Sequence, residues 1–252
     1  MMRLQKFLAR AGHGGRRKCE QLILDGRVSV NGDTITEMGV RVDAGRDVVR
    51  LDGEVVNLPA DDVIIALNKP EGCYTTMRDE SGRSCVADLL PMDVHPSLYH
   101  IGRLDRDTTG IILFTTDGEL GNELLHPSRH VDKEYIAQVR GVPTEGELDQ
   151  LRRGVRIEMG ERVLDCAPAE VDALKKLPNR YRKQDSCLAP GMPGTSFVRV
   201  VIHEGMKHQV KLMLGAIGHP VVHLHRTTFG PISCEALKQG EWRYVDPAEL
   251  HA

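Results

Sequence analysis

Residues 100–118 read HIGRLDRDTTGIILFTTDG, and this stretch decides how the chain is understood. A short run of charged and hydroxyl side chains leads straight into IILFTT, a continuous apolar segment of the length and composition of a fully buried strand. Chemistry placed at the mouth of a buried strand is held by the core behind it. Arg103, Asp105, Arg106, Asp107, Thr108 and Thr109 crowd the loop, so a carboxylate stands between guanidinium groups that keep it ionised and are able to hold phosphates. Gly102 and Gly110 supply sharp backbone turns at its two ends. An isolated Arg-Leu-Asp would be read as an aspartate capping a turn and pairing with its neighbour.

Working outward, VIIAL (63–67) is a second buried strand, stopped by Asn68-Lys69-Pro70 and a turn at Gly72, with Lys69 placed to face a phosphate. YIAQV (135–139) alternates like a strand. KHQVKLMLGAIG (207–218) is a helix with Val210, Met213, Leu214 and Ile217 on one apolar face and Lys207 and Lys211 toward its edge. Between these, DALKKLPNRYRKQDSCLAPGMPGTS (172–196) breaks the sheet pattern and reads as a loop insertion. It carries Lys175, Lys176, Arg180, Arg182 and Lys183 around Tyr181.

The N-terminus has a different character. Leu4, Phe7, Leu8 and Ala11 mark one face of a short helix ended by Gly12, and RRKCEQLIL continues as a second helix that buries Leu22 and Ile23. Period-two alternation then takes over in RVSVNGDTI, where Asn31-Gly32 is a hairpin signal, and VRVDAGRDVVRLDG adds further short strands. The chain's formal net charge is −3, yet residues 1–30 hold Arg3, Lys6, Arg10, Arg16, Arg17, Lys18 and Arg27 against only Glu20 and Asp25. Arg16, Arg17 and Lys18 fall in the first turn of the second helix, where positive charge opposes the helix dipole. That local cost points to a partner outside the fold, since phosphates bind at helix N-termini. GEVVNLPADD (53–62) serves as a linker, which places the domain boundary near residue 58.

Composition sets the remaining bounds. With 40% hydrophobic and 27% charged residues the chain is able to bury a core, and no run approaches the roughly 20 apolar residues of a membrane span. The start MMRLQKFLAR lacks a secretory pattern, so a cytoplasmic location and no membrane partner are expected. Cys19, Cys73, Cys85, Cys166, Cys187 and Cys234 are scattered without CxxC spacing, and His203, His208, His219, His223 and His225 match no HExxH pattern, so no metal site is expected. The absence of heptads favours a monomer over a coiled-coil dimer.

Two resemblances sharpen this reading. RLQKFLARAG and GRRKCEQLILDGRVSVNG resemble the small RNA-binding domain shared by a ribosomal small-subunit protein, some tRNA synthetases and several RNA-modifying enzymes. Gln5 stands where Asp is usual, and Gly15 where a capping Ser is usual. GRLDRDTTGIILFTTDGEL, with NKPEG, HPSRHVDKEY and HEGMKHQVKLMLGAIGHPVVHLHR in that order, resembles the ribosomal RNA pseudouridine synthase family.

The resemblance implies an α+β fold: a small N-terminal helical-plus-strand RNA-binding module (1–57), then a pseudouridine synthase domain (58–252) built on a mixed, largely antiparallel sheet. It implies isomerisation of a specific uridine in ribosomal RNA or a pre-ribosomal particle, without cofactor, with Asp105 as the catalytic carboxylate. Tyr135 would lie against the target base, Lys211 would partner Asp105, and Arg103 would enter the space that the exposed uridine leaves. Asp107 and Thr109 are expected as loop supports. Arg3, Lys6, Arg16, Arg17, Lys18 and Arg27 are the expected RNA contacts. Met206 and Leu212 replace usual arginines, which bears on substrate identity. GMKHQVKLMLGAIGHPVVHLHR leans toward a small-subunit substrate, whereas the central block is closer to large-subunit enzymes. Two other activities fit many of the same residues: a non-catalytic ribosome-assembly protein, and a hydrolase that releases free uracil.

Overall fold

The computed structural model describes residues 1–185, 187–189 and 191–251. By contacts the chain divides into one unit of Met1–Val63 with Pro91–Tyr99 and Thr115–Gly118, and a second of Ile64–Leu90, His100–Phe114 and the chain from Glu119 onward.

The first unit holds β1 (Met2–Arg3), α1 (Leu4–Arg10), α2 (Arg16–Leu24), β2 (Val28–Val30), β3 (Asp33–Ile35), β4 (Arg41–Val42), β5 (Val49–Leu51) and β6 (Glu54–Val55). Its core holds Leu4, Phe7, Leu8, Leu22 and Ile23 from the marked helix faces, joined by Cys19, Val28, Val42, Val49 and Val56, while Ala11 is only partly buried against it. Asn31 and Gly32 both take positive φ, 55° and 98°, as a type I′ hairpin turn needs, and they place Val30 opposite Asp33. α2 begins at Gly15 without a side-chain cap or an acidic residue in its first turn.

The second unit runs β7 (Ile64–Lys69), β8 (Tyr99–Ile101), β9 (Thr108–Thr115), α3 (Gly118–Leu125), β10 (Lys133–Arg140), α4 (Glu145–Arg153), β11 (Arg156–Met159), β12 (Arg162–Asp165), β13 (Glu170–Leu174), α5 (Asn179–Gln184), β14 (Thr195–Ile202), α6 (Gln209–Ala216), β15 (Val221–Phe229), β16 (Ile232–Ser233) and β17 (Trp242–Tyr244). Among the described residues its main sheet has the order β13-β14-β10-β15-β9-β7-β17, with β16 and β8 pairing from the side. β9 and β15 run parallel, while the β10, β13 and β14 pairings are antiparallel. The fold is the expected α+β arrangement on a mixed, largely antiparallel sheet. β7 and β9 are buried along their whole length, which is why they read as unbroken apolar runs.

Two local expectations are corrected. Gly110 is not a turn at the end of the loop. It sits inside β9 with φ 105°, and a Cβ there would lie 2.1 Å from the Arg226 carbonyl oxygen, so glycine is what lets β9 approach β15. The segment 172–196 is not a loose insertion. It contributes the end of β13 and all of α5, and buries Leu177, Tyr181 and Leu188 against Ile136 and Phe197. Its five basic side chains remain exposed because that apolar triad faces inward.

Candidate active site

Period two along β9 sends adjacent threonines to opposite faces of the sheet. Thr108 lines a cleft, while Thr109 is fully buried on the other side. Asp105 lies three residues upstream in the tight turn closed by Thr108 N–H donating to the Asp105 carbonyl (3.1 Å). The loop is pinned from behind. The Thr75 hydroxyl donates to the Leu104 carbonyl (2.7 Å), and Lys69 Nζ donates to the carbonyls of Pro70, Cys73 and Arg106. Lys69 therefore does not face a phosphate: it is fully buried, and carbonyls take up all three of its donors. Burial lowers it to about 8.

The Asp105 side chain is 29% exposed and is held from one side. Lys211, on α6, brings Nζ to 2.9 Å from its Oδ2 and to 2.6 Å from Asp107 Oδ1. His208 Nε2 stands 3.3 Å from Oδ1. Burial works against the Lys211 charge, but hydrogen bonds to Asp107 and Asp105 outweigh it and raise the ammonium above its ordinary value. The same bond lowers Asp107 despite its partial burial. His208 takes φ 57° at the start of α6, a left-handed conformation that costs an L-residue about 1 kcal/mol and delivers its ring to Asp105.

The cleft encloses about 630 Å³, its open mouth included. Gly102, Arg103, Leu104 and Asp105 form one wall, and Gly205, Met206, His208, Gln209 and Val210 the facing one. Thr108, Lys133, Tyr135, Leu224, Arg226 and Phe229 come from the sheet. Tyr135 is directly opposite Arg226 in the β10–β15 register, with Arg226 Nη1 3.5 Å from its hydroxyl. Arg103 stands exposed at the rim. Asp105, Lys211, Tyr135 and Arg103 are thus gathered in one region of the second unit. Thr109 is not a loop support; its hydroxyl is bound to Asp185, His223 and His225 behind the sheet.

Two cations at the cleft escaped notice in the sequence. Arg226 is 2% exposed; its Nε donates to the Ile111 carbonyl (2.7 Å) while its buried Nη2 has no partner among the described residues. Lys133 is 8% exposed and donates to the Val131 and His203 carbonyls. Burial and the nearby Arg226 charge push it down to about 8. Lys133 and Tyr135 share a face of β10 by simple alternation, and that was the available signal. Arg226 had a weaker one, a charge inside an otherwise buried strand.

In the first unit, Arg3, Arg16, Arg17, Lys18 and Arg27 are exposed and Lys6 is half-buried. Arg27 makes a bidentate pair with Asp52, and Arg10 pairs with Asp62 at 2.6 Å. No helix among the described residues is long and apolar enough to cross a membrane.

An exposed basic N-terminal surface and, in the sheet domain, a carboxylate–ammonium pair beside a cleft lined by Tyr135 and Phe229 suit an enzyme that acts on RNA. Comparison with known proteins narrows the class. Residues 63–216 match the family described as RNA pseudouridylate synthase, and residues 2–48 match the S4 domain. The chain belongs to the RNA pseudouridylate synthase family. It is 44% identical over 234 residues to an uncharacterized RNA pseudouridine synthase of Mycobacterium leprae, covering 92% of this chain and 84% of the relative. It is 39% identical over 250 residues to the ribosomal large subunit pseudouridine synthase B of Bacillus subtilis, covering 99% and 94%. A crystal structure of a pseudouridylate synthase matches with a TM-score of 0.65 and 25% identity, covering 100% of this chain and 99% of that one.

Proposed function

We propose that the protein isomerises a specific uridine in large-subunit ribosomal RNA to pseudouridine, with Asp105 as the reacting carboxylate. The observation that carries this is the Asp105–Lys211 pair at 2.9 Å, set in a cleft shared with Tyr135 and Arg226. The sequence leaned toward the small subunit. The relatives from Bacillus subtilis and Vibrio cholerae named for the large subunit, 39% and 40% identical, turn the proposal the other way.

In the reaction the bond between uracil N1 and the ribose anomeric carbon breaks, the base turns, and C5 bonds to the same carbon. C5 loses a proton and N1 gains one, so no electrons are exchanged. Lys211 holds Asp105 Oδ2 and His208 stands 3.3 Å from Oδ1, which fixes the carboxylate while its side chain stays 29% exposed. Tyr135 packs against the base. As N1 leaves, negative charge spreads onto the uracil carbonyl oxygens, and the cations Arg226 and Lys133 lie where they stabilise it. Arg103 fills the place of the flipped nucleotide. Arg3, Lys6, Arg16, Arg17 and Lys18 supply phosphate contacts, and Arg27 does so after sharing its charge with Asp52. The protein works as a cytoplasmic monomer with the domain boundary near residue 58.

The test maps pseudouridines in both ribosomal RNAs by carbodiimide-dependent primer-extension stops. The strains lack the gene, or carry wild type or Asp105→Asn. One large-subunit stop should vanish without the gene and return only with wild type. Persistence of every stop in all strains would overturn the proposal, and a stop lost from the small-subunit RNA would reassign the substrate. Release of free uracil in vitro would mark a hydrolase instead.

A further inference from the structure

On the face of the sheet opposite the cleft, three residues far apart in sequence converge. Glu71 follows β7, Cys187 follows α5 and His223 lies in β15, and one potential ligand atom from each falls within 4.8 Å of the others. Cys187 Sγ is 3.3 Å from Glu71 Oε2, although the two residues are 116 positions apart. Glu71 is exposed, Cys187 half-buried and His223 buried, so the cluster opens to solvent on one side.

What separates it from a chance surface group is a built support. Asp185 is fully buried and orders two of the three residues. It accepts from the ring of His223 through Nε2 at 2.6 Å, and from the backbone N–H of Cys187 at 2.8 Å. Gln239 and Thr109 also donate to it. A carboxylate bound to Nε2 fixes the tautomer with its proton there, which leaves Nδ1 as a lone-pair donor, and Nδ1 has no hydrogen bond among the described residues. A carboxylate behind a histidine is the usual outer support of a metal-bound imidazole.

We propose that Glu71, Cys187 and His223 bind one divalent cation of the zinc class, through a carboxylate oxygen, Sγ and Nδ1, with water in the fourth position. On binding, Cys187 releases its thiol proton to solvent and coordinates as thiolate. Mixed sulfur, nitrogen and oxygen donors suit a borderline-soft tetrahedral ion and exclude magnesium and calcium, which take oxygen alone. The carboxylates of Glu71 and Asp185 oppose ionisation of Cys187, whose thiol is pushed up to about 12 chiefly by burial; a cation reverses that balance. The ion ties the α5 segment to β15, so its role is structural and the isomerisation does not depend on it.

The full-length protein, stripped with chelator, is titrated with Zn²⁺ and with Co²⁺ as a spectroscopic substitute. Expected are one equivalent bound, a sulfur-to-cobalt charge-transfer band in the near ultraviolet, and a higher Tm with zinc. Cys187→Ser should abolish the band, Glu71→Gln should weaken binding, and Asp185→Asn should weaken it by roughly 10–100-fold. Among the described cysteines the other five are buried, so the band reports Cys187. No uptake, cobalt bound without the band, or equal binding by Cys187→Ser would each overturn the proposal. Glu71 is exposed, so its variant folds even if Cys187→Ser does not.

Discussion

Two aspartates stand on opposite sides of the sheet at the β9–β15 seam, and they are treated in opposite ways. Asp105 is 29% exposed and is held from one side by Lys211 and His208. Asp185 is fully buried and surrounded by His223, His225, Thr109, Gln239 and the Cys187 amide. A saturated carboxylate has no lone pair left for a substrate, so its role is to hold the neighbours that bind it in place. One held by two side chains and left partly exposed keeps lone pairs accessible to a substrate. Solvent access and donor count together separate the proposed reacting group from the structural one.

The largest effect that breaks the pair apart is Asp105→Asn. It should lower kcat by about 10⁴-fold or more, as loss of a reacting group does, while Tm barely moves. The corresponding Asp185→Asn should do the reverse. Leaving buried donors without their anion costs about 3 kcal/mol, or roughly 6–12 °C in Tm for a chain of this size. Thermal melts and single-turnover rates on the two variants decide the matter. If Asp185→Asn abolished turnover at full stability, the division of labour would be wrong. Acid adds a second check. Burial alone would raise Asp185, but hydrogen bonds from His223 and His225 outweigh it and hold its pKa far below the usual carboxylate range. Its stabilisation is therefore present above the unfolded carboxylate pKa of about 4 and is lost as pH falls toward the folded value. Asp185→Asn should flatten that acid limb.

Lys211→Met sharpens the comparison from the other partner. A charge-assisted bond of about 1.5–3 kcal/mol converts to a roughly 10–100-fold loss in kcat, with RNA affinity unchanged. Recovery by Lys211→Arg would mark a role in orienting Asp105.

A smaller effect, at most about tenfold per pH unit, is expected on the alkaline side. Lys133 loses its proton as pH rises through about 8, and the cleft loses a cation. Because its folded pKa is below the unfolded value, the cost of burying its charge is present below about 8 and is relieved between there and about 10.4. Activity should fall in a window where Lys133 itself adds stability. Parallel loss of Tm and rate would contradict this.

Much of this site was legible because its parts are local. The loop, the buried strand behind it and the helix carrying Lys211 each announce themselves within about 20 residues, and family motifs link them. Asp185 was not legible. Its partners His223, His225, Thr109 and Gln239 lie 38 to 76 positions away, and only the closed sheet brings them together. The segment around it read as a loop because Pro and Gly interrupt its periodicity, while the three apolar side chains that seat it are spread too thinly to show a pattern. Lys69 misled for a different reason: a lysine after a strand is usually solvated, and although the Pro70 and Cys73 carbonyls lie within four residues, the sequence does not show that the turn folds them back onto Nζ.

The smallest effect concerns a charge whose proposed partner is an RNA phosphate. Arg17 is exposed in the first turn of α2, has no ion pair among the described residues, and follows an N-terminus with no side-chain cap. Positive charge there opposes the helix dipole, so Arg17→Gln should leave the first unit as stable as before or slightly more so. Fold stability gives no reason for an arginine at this position; phosphate binding does. The same substitution should raise KM for ribosomal RNA by about 2–5-fold at unchanged kcat, and lower the slope of log affinity against log salt by roughly 1. Asp105 and Asp185 each reveal their work through partners inside the protein. Arg17 would reveal its own only through salt, and an unchanged slope would mean that its charge is merely solvated.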